Sequence, residues 1–174
     1  MTHIPLFKTL LRFLLLLSLS IQLVSCAESP PKLRTTASGD VLGVNYTGEG
    51  IQHFSVGNSG GSSVGSYSTG GFVCCTVYPR VWNPNFMVTV KWERTDCEKQ
   101  KSLCSHETFG NWPLKKLSKT IPMEEYKNGG IVYVAFFPND EVRIYVTSYG
   151  LGHPDFPNKL GIPQDPAENT GVTQ

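Results

Sequence analysis

From Phe86 to Glu93 apolar and polar side chains alternate without a break. Val88, Val90 and Trp92 share one face, and Thr89, Lys91 and Glu93 share the other. Period two with one apolar face predicts a strand with one side on a core and one side in water. Glu141 to Ser148 repeats the pattern, with Val142, Ile144 and Val146 inward and Arg143, Tyr145 and Thr147 outward. Val41 to Thr47 alternates too, placing Leu42, Val44 and Tyr46 on one face. Gly48-Glu49-Gly50 then reads as a turn, and Ile51 to Val56 returns with Phe54 and Val56 together, which predicts a hairpin. Ile131 to Phe137 is apolar on both faces and predicts a central strand, closed by a tight turn at Pro138-Asn139-Asp140. Phe72 to Tyr78 reads as a buried strand broken by Pro79 to Asn85.

Between these runs the chain is punctuated by Gly, Pro and Ser. Residues 57–71 form a long Gly/Ser stretch whose larger side chains are Val64 and Tyr67. It is expected to be a loop, either a plain connection or a binding loop on a rigid sheet. It is not a phosphate loop, since no Gly-Lys-Ser/Thr follows it. Residues 94–121 show no clear period. Pro122 to Tyr126 has the Pro and acids of a first helical turn, stopped by Asn128-Gly129-Gly130. Six or so alternating strands predict an all-β, single-domain β-sandwich with long Gly/Pro-rich loops.

The first residues follow a different pattern. Lys8 and Arg12 precede an apolar run from Phe13 to Ile21, and no acid occurs in residues 1–25. This is the layout of a secretory signal, with an apolar middle too short to span a bilayer comfortably. Leu23-Val24-Ser25-Cys26 resembles the bacterial lipobox. The resemblance implies cleavage before Cys26 and lipid attachment to its thiol, and hence a membrane contact through the N-terminal lipid. An ordinary cleaved signal that happens to contain a cysteine is the alternative. The expected organisation is a signal peptide at 1–25, a Pro-containing polar tether at 26–39, a sandwich at 40–157 and a flexible C-terminal tail at 158–174. No Asp follows Cys26, which points to the outer membrane, facing the periplasm.

Removing the signal lowers the 15 basic residues to 13 against 14 acids, a net charge of −1. That balance offers no basic stripe for nucleic acid. With Cys26 taken by lipid, Cys74, Cys75, Cys97 and Cys104 remain, an even number suited to an oxidising compartment. Cys97 and Cys104 flank a short polar loop and are expected to pair. Cys74 and Cys75 are neighbours in a strand, point to opposite faces and are expected to stay unbonded to each other. Bridges between the two pairs are the rival arrangement.

Candidate chemistry is sparse. His53, His106 and His153 have no metal-ligand spacing, no Cys-x-x-Cys occurs, and no metal or other cofactor is expected. No Gly-x-Ser-x-Gly elbow is present. A thiol site assembled from Cys74 or Cys75, His53 and Asp155 is conceivable in space, yet no catalytic residue is expected. His153-Pro154-Asp155 reads instead as a shaped loop. Asn45-Tyr46-Thr47 matches a glycosylation acceptor, which a bacterial lipoprotein would not normally use.

Several stretches together resemble a family of uncharacterised proteobacterial lipoproteins. They are Gly43 to Gly48, Gly70-Gly71-Phe72-Val73-Cys74-Cys75, Pro79 to Pro84, Val88 to Glu93 and Tyr149 to Pro157. Members of that family look like neighbours of phospholipase effectors of type VI secretion. The resemblance implies an immunity lipoprotein that binds and blocks a phospholipase toxin in the periplasm. A protein of this kind needs no catalytic group. Tyr67, Arg80, Trp82, His153 and Asp155 are the expected partner-binding residues, because they sit on loops and include interface-anchoring types. An envelope structural or assembly lipoprotein is the alternative, and a thiol hydrolase is a third.

Overall fold

The computed structural model describes residues 34–96 and 112–167, and in them the chain is an all-β sandwich. Eight strands run in order: β1 Thr36–Asn45, β2 Ile51–Val56, β3 Ser59–Gly61, β4 Ser68–Pro79, β5 Met87–Thr95, β6 Leu114–Pro122, β7 Ile131–Phe137 and β8 Glu141–Thr147. One sheet has the order β4-β1-β7-β8 and the other β3-β2-β5-β6. All pairs are antiparallel except β1 with β7, which run parallel with Val41 opposite Val132. Among the described residues no helix is long and apolar enough to cross a membrane.

Val88, Val90 and Trp92 from β5 meet Val142, Ile144 and Val146 from β8 in the space between the sheets, as alternation requires. Phe54 and Trp92 both pack on Phe136, with ring centroids 5.4 and 5.9 Å apart. β7 is central and buried on both sides. Its second side is covered by the chain beyond β8. Phe156 meets the Tyr133 ring edge-on at 5.0 Å, and Leu42, Val44, Tyr145 and Leu160 join them. This third layer explains why Tyr145, on the polar phase of β8, is buried.

Several expectations are corrected. β1 and β2 do not form a hairpin. Residues 48–50 carry the chain from one sheet to the other, and β2 pairs with β3 and β5. Residues 57–71 are not one loop. Gly57, at φ 60°, opens a tight turn into β3, and β4 begins at Ser68. Serine hydroxyls tie these strands: Ser59 Oγ donates to the Cys75 carbonyl at 2.6 Å, and Ser62 Oγ accepts from Gly71 N at 2.7 Å. β4 is an edge strand rather than a buried one, with Phe72 and Val77 exposed. Pro122 closes β6, and Pro122 to Tyr126 forms no helical turn. Glu124 N donates to Ile144 O at 2.9 Å, and Met123 and Tyr126 are buried beneath the sandwich. Strand β1 starts at Thr36, ahead of residue 40, and contacts to the sandwich continue past 157 through Leu160 and Gly161.

The expectation for Cys74 and Cys75 also fails: they are joined to each other in a disulfide. The reason lies in the ladder. Gly39 pairs with Thr76 and Val41 with Val73, so two residues of β4 oppose the single residue Asp40 of β1. That is a β-bulge, and it breaks the alternation on which opposite-facing side chains depend. A second bulge sets Gly70 and Gly71 opposite Gly43. Cys26, Cys97 and Cys104 lie outside the described residues, and so do the lipid and the 97–104 pairing.

Candidate functional site

Strand β5 keeps its inward phase one step beyond Trp92, and that step is Arg94. A guanidinium at the rim of an apolar core needs partners. Arg94 has a side chain only 8% exposed, and its Nη1 lies 2.6 Å from Glu49 Oε2. Its Nε donates to Asp140 Oδ1, also at 2.6 Å. The other Asp140 oxygen accepts from Lys115 Nζ at 2.9 Å. Burial alone would raise the Asp140 carboxyl. The hydrogen bonds and charges of Arg94 and Lys115 outweigh it and hold the group below the usual carboxylate range.

Loops from both sheets converge on these groups. Asn45 is fully buried, and its amide donates to Glu49 O at 2.7 Å and Gly65 O at 2.8 Å. Its Oδ1 accepts from Thr47 N at 3.0 Å and Thr47 Oγ1 at 2.7 Å. The Asn-Tyr-Thr sequence therefore serves as a loop clamp, and its amide faces inward. Tyr67 N donates to Thr47 O at 3.0 Å. The result is a cleft of about 540 Å³ at one end of the sandwich. Its walls include Thr47, Glu49, Tyr67, Lys115, Asn139 and Asp140, over a floor of Ile51, Trp92 and Phe136.

Three wall residues hold left-handed backbone: Tyr67 at φ 44°, Asn139 at 63° and Asp140 at 57°. Asn and Asp accept that region more readily than Tyr does. Asn139 and Asp140 are the central pair of the β7–β8 hairpin turn, in which Glu141 N donates to Pro138 O, and positive φ is favoured there; Tyr67 is the strained wall residue. Among the described residues the cleft is lined by no cysteine or histidine. It presents paired charges, hydroxyls and loop backbone over an aromatic floor.

Of the five expected partner-binding residues only Tyr67 reaches this cleft. Asn45 opposite Ser68 and Thr36 opposite Pro79 mark opposite ends of the β1–β4 ladder. Arg80 therefore lies at the far end, where Nε donates to Arg34 O at 3.1 Å. Trp82 is there too, half-buried, with Nε1 donating to Met123 O at 3.1 Å. It closes the base of the core. His153 stacks on Tyr149 at 4.5 Å, and its Nδ1 accepts from Asp155 N at 3.1 Å, so this pair shapes an exposed turn. The conceivable thiol site is not assembled. Cys74 and Cys75 are bonded in one sheet, while His53 lies in the other beside Lys91 and Glu93.

A shallower groove of about 450 Å³ runs across β2, β5 and β6. There Lys116 pairs with Glu93 at 2.9 Å. Lys116 is 80% exposed, which marks a solvated ion pair of small energetic weight.

Neither comparison with curated proteins nor comparison with solved structures gives a match. One family profile does match, over residues 44–144, more than half of the chain, from the last turn of β1 through the middle of β8. That span holds Asn45, Glu49, Arg94 and Asp140, so strands β2 to β7 and the charged residues of the cleft fall within it. The chain belongs to the family described as DUF3304, proteins of unknown function.

Proposed function

We propose that the chain is a lipid-anchored binding protein of the bacterial envelope that neutralises a phospholipase toxin by docking on it. The observation that carries the binding role is the end cleft, where Tyr67 holds left-handed backbone beside the charge cluster of Arg94, Glu49, Asp140 and Lys115. Loops with locked geometry on a rigid sandwich bind with little ordering cost. Among the described residues the cleft offers paired charges and hydroxyls over an aromatic floor, a surface suited to recognition. The address comes from the lipobox-like Leu23 to Cys26, and the toxin class from the resemblance of five sequence stretches to lipoproteins found beside phospholipase effectors.

The test asks first whether a phospholipase effector is encoded beside this gene, and then expresses that effector in the periplasm with and without the full chain. Survival only with the lipoprotein, and co-purification of the two proteins, supports neutralisation. Equal killing in both cultures, with the lipoprotein folded and fractionating with the membrane, removes it and leaves an envelope-component partner as the better reading. Cys26→Ser is expected to leave an unprocessed precursor. Normal processing of that variant defeats the lipid anchor without touching the binding reading.

A further inference from the structure

We propose that Asp40, Cys74 and Cys75 form a redox-gated site for a thiophilic divalent cation, open when the disulfide is reduced and closed when it is formed. The β-bulge brings the three groups together. With Gly39 opposite Thr76 and Val41 opposite Val73, both cysteines face the single residue Asp40. Asp40 Oδ1 lies 3.4 Å from Cys75 Sγ, and the carboxylate oxygen and both sulfurs all fall within 4.8 Å of one another. A disulfide sulfur has no proton to donate, so this approach is a proximity in the oxidised state. The bulge backbone is held independently of the sulfurs, since Ser59 Oγ donates to Cys75 O at 2.6 Å. Bulges are used elsewhere to re-aim side chains beside functional sites.

The chemistry follows from the donor set. Two thiolates and a carboxylate suit zinc and its softer relatives, with one position left for water. Thiolates about 2.3 Å from a tetrahedral ion stand about 3.8 Å apart, so the two sulfurs must separate on reduction for the ion to enter. Asp40 and Cys74 are exposed and Cys75 is half-buried, so ion and reductant have access. An external dithiol opens the site by exchange. Its two sulfurs become a disulfide, the Cys74–Cys75 bond breaks, and both protons pass to the freed thiols. Binding then forms two metal–thiolate bonds and releases those two protons, so affinity falls with acid.

The probe is zinc alone, added to the full chain with Cys26, Cys97 and Cys104 changed to Ser. Protein reduced by a dithiol, then freed of it, is compared with oxidised protein in competition against a chromophoric chelator. One zinc per reduced chain and none per oxidised chain is expected. Cobalt in place of zinc is expected to give thiolate charge-transfer absorption in the reduced chain only. Loss of an outer-shell partner weakens metal sites about 10–100-fold, and Asp40→Ala, which removes a ligand, is expected to cost at least that much. Equal binding in both redox states, or no binding by the reduced chain, overturns the site. Unchanged affinity in Asp40→Ala overturns the three-ligand assignment. If the serine background does not fold, the same readings are taken as the difference between the native chain and Cys74→Ser/Cys75→Ser, with the same outcomes deciding.

Discussion

Arg94 of β5 donates its Nε hydrogen to Asp140, 2.6 Å away in the turn between β7 and β8, and so links the two sheets across the mouth of the cleft. Asp140 is placed for this by the hairpin turn, where its φ is 57°, and Lys115 holds its second oxygen. The bond is an inter-sheet staple and the frame of the proposed recognition site.

Asp140→Asn tests the staple. The Asp140 carboxyl is held below its ordinary value of 3.8. A group depressed in the fold contributes stability above its unfolded pKa and loses it as pH falls through the folded one. The contribution is therefore complete at neutral pH and disappears below pH 3.8. Denaturant melts of the native chain should show an acid-side decline that Asp140→Asn flattens. At pH 7 the variant should lose about 1.5–3 kcal/mol, the scale of a hydrogen bond to a charged group. Matching pH profiles would remove Asp140 as the linked group.

Trp92 is 3% exposed and packs on Phe136 in the centre of the sandwich. Trp92→Ala should cost about 3–5 kcal/mol. A loss under 1 kcal/mol by denaturant melt would contradict the packing described for it.

The same alternation that made Trp92 legible contained the cleft as well. Val88, Val90, Trp92 and Arg94 are one series, and a charge at its fourth place is the signal that an inward-facing ion pair waits there. Stopping the strand at Glu93 hides it. Its partners are not readable, because Glu49 and Asp140 come from distant turns and period two says nothing of which strands pair. The parallel β1–β7 contact was invisible for that reason, and so was the failure of the β1–β2 hairpin. The bulge at Cys74-Cys75 depends on register with β1, which no local pattern carries. Phe156 and Leu160 stand alone among Pro, Gly and Asn, with no period to mark them as core.

Phe156 decides whether the third layer belongs to the fold. Buried to 2% exposure, it covers Tyr133 and Tyr145 on the face of the sheet away from β5. Phe156→Ala should destabilise the domain by about 3 kcal/mol and speed proteolysis of the segment after β8. If stability holds and only that segment becomes cleavable, the third layer is an attachment that the sandwich does not need.

Tyr67 separates strain kept for function from strain that merely exists. Its φ of 44° is a region where an L side chain costs about 1–2 kcal/mol and glycine costs almost nothing. Its ring stands half-buried at the cleft wall beside Gly48 and belongs to neither core cluster, so its loss removes little core packing. Tyr67→Gly should therefore leave the melting temperature unchanged or raise it by a few degrees. An aromatic anchor at a binding cleft should behave oppositely toward the partner, and its loss should weaken binding by more than about 2 kcal/mol, roughly thirtyfold. Calorimetry on the full chain measures the first, and titration with the partner proposed above, once it is isolated by co-purification, measures the second. A variant that is more stable and binds less shows that the tyrosine is held there for recognition. A variant that is more stable and protects cells as well as the native chain moves the contact surface away from this cleft. A variant that is clearly less stable assigns Tyr67 to the fold instead.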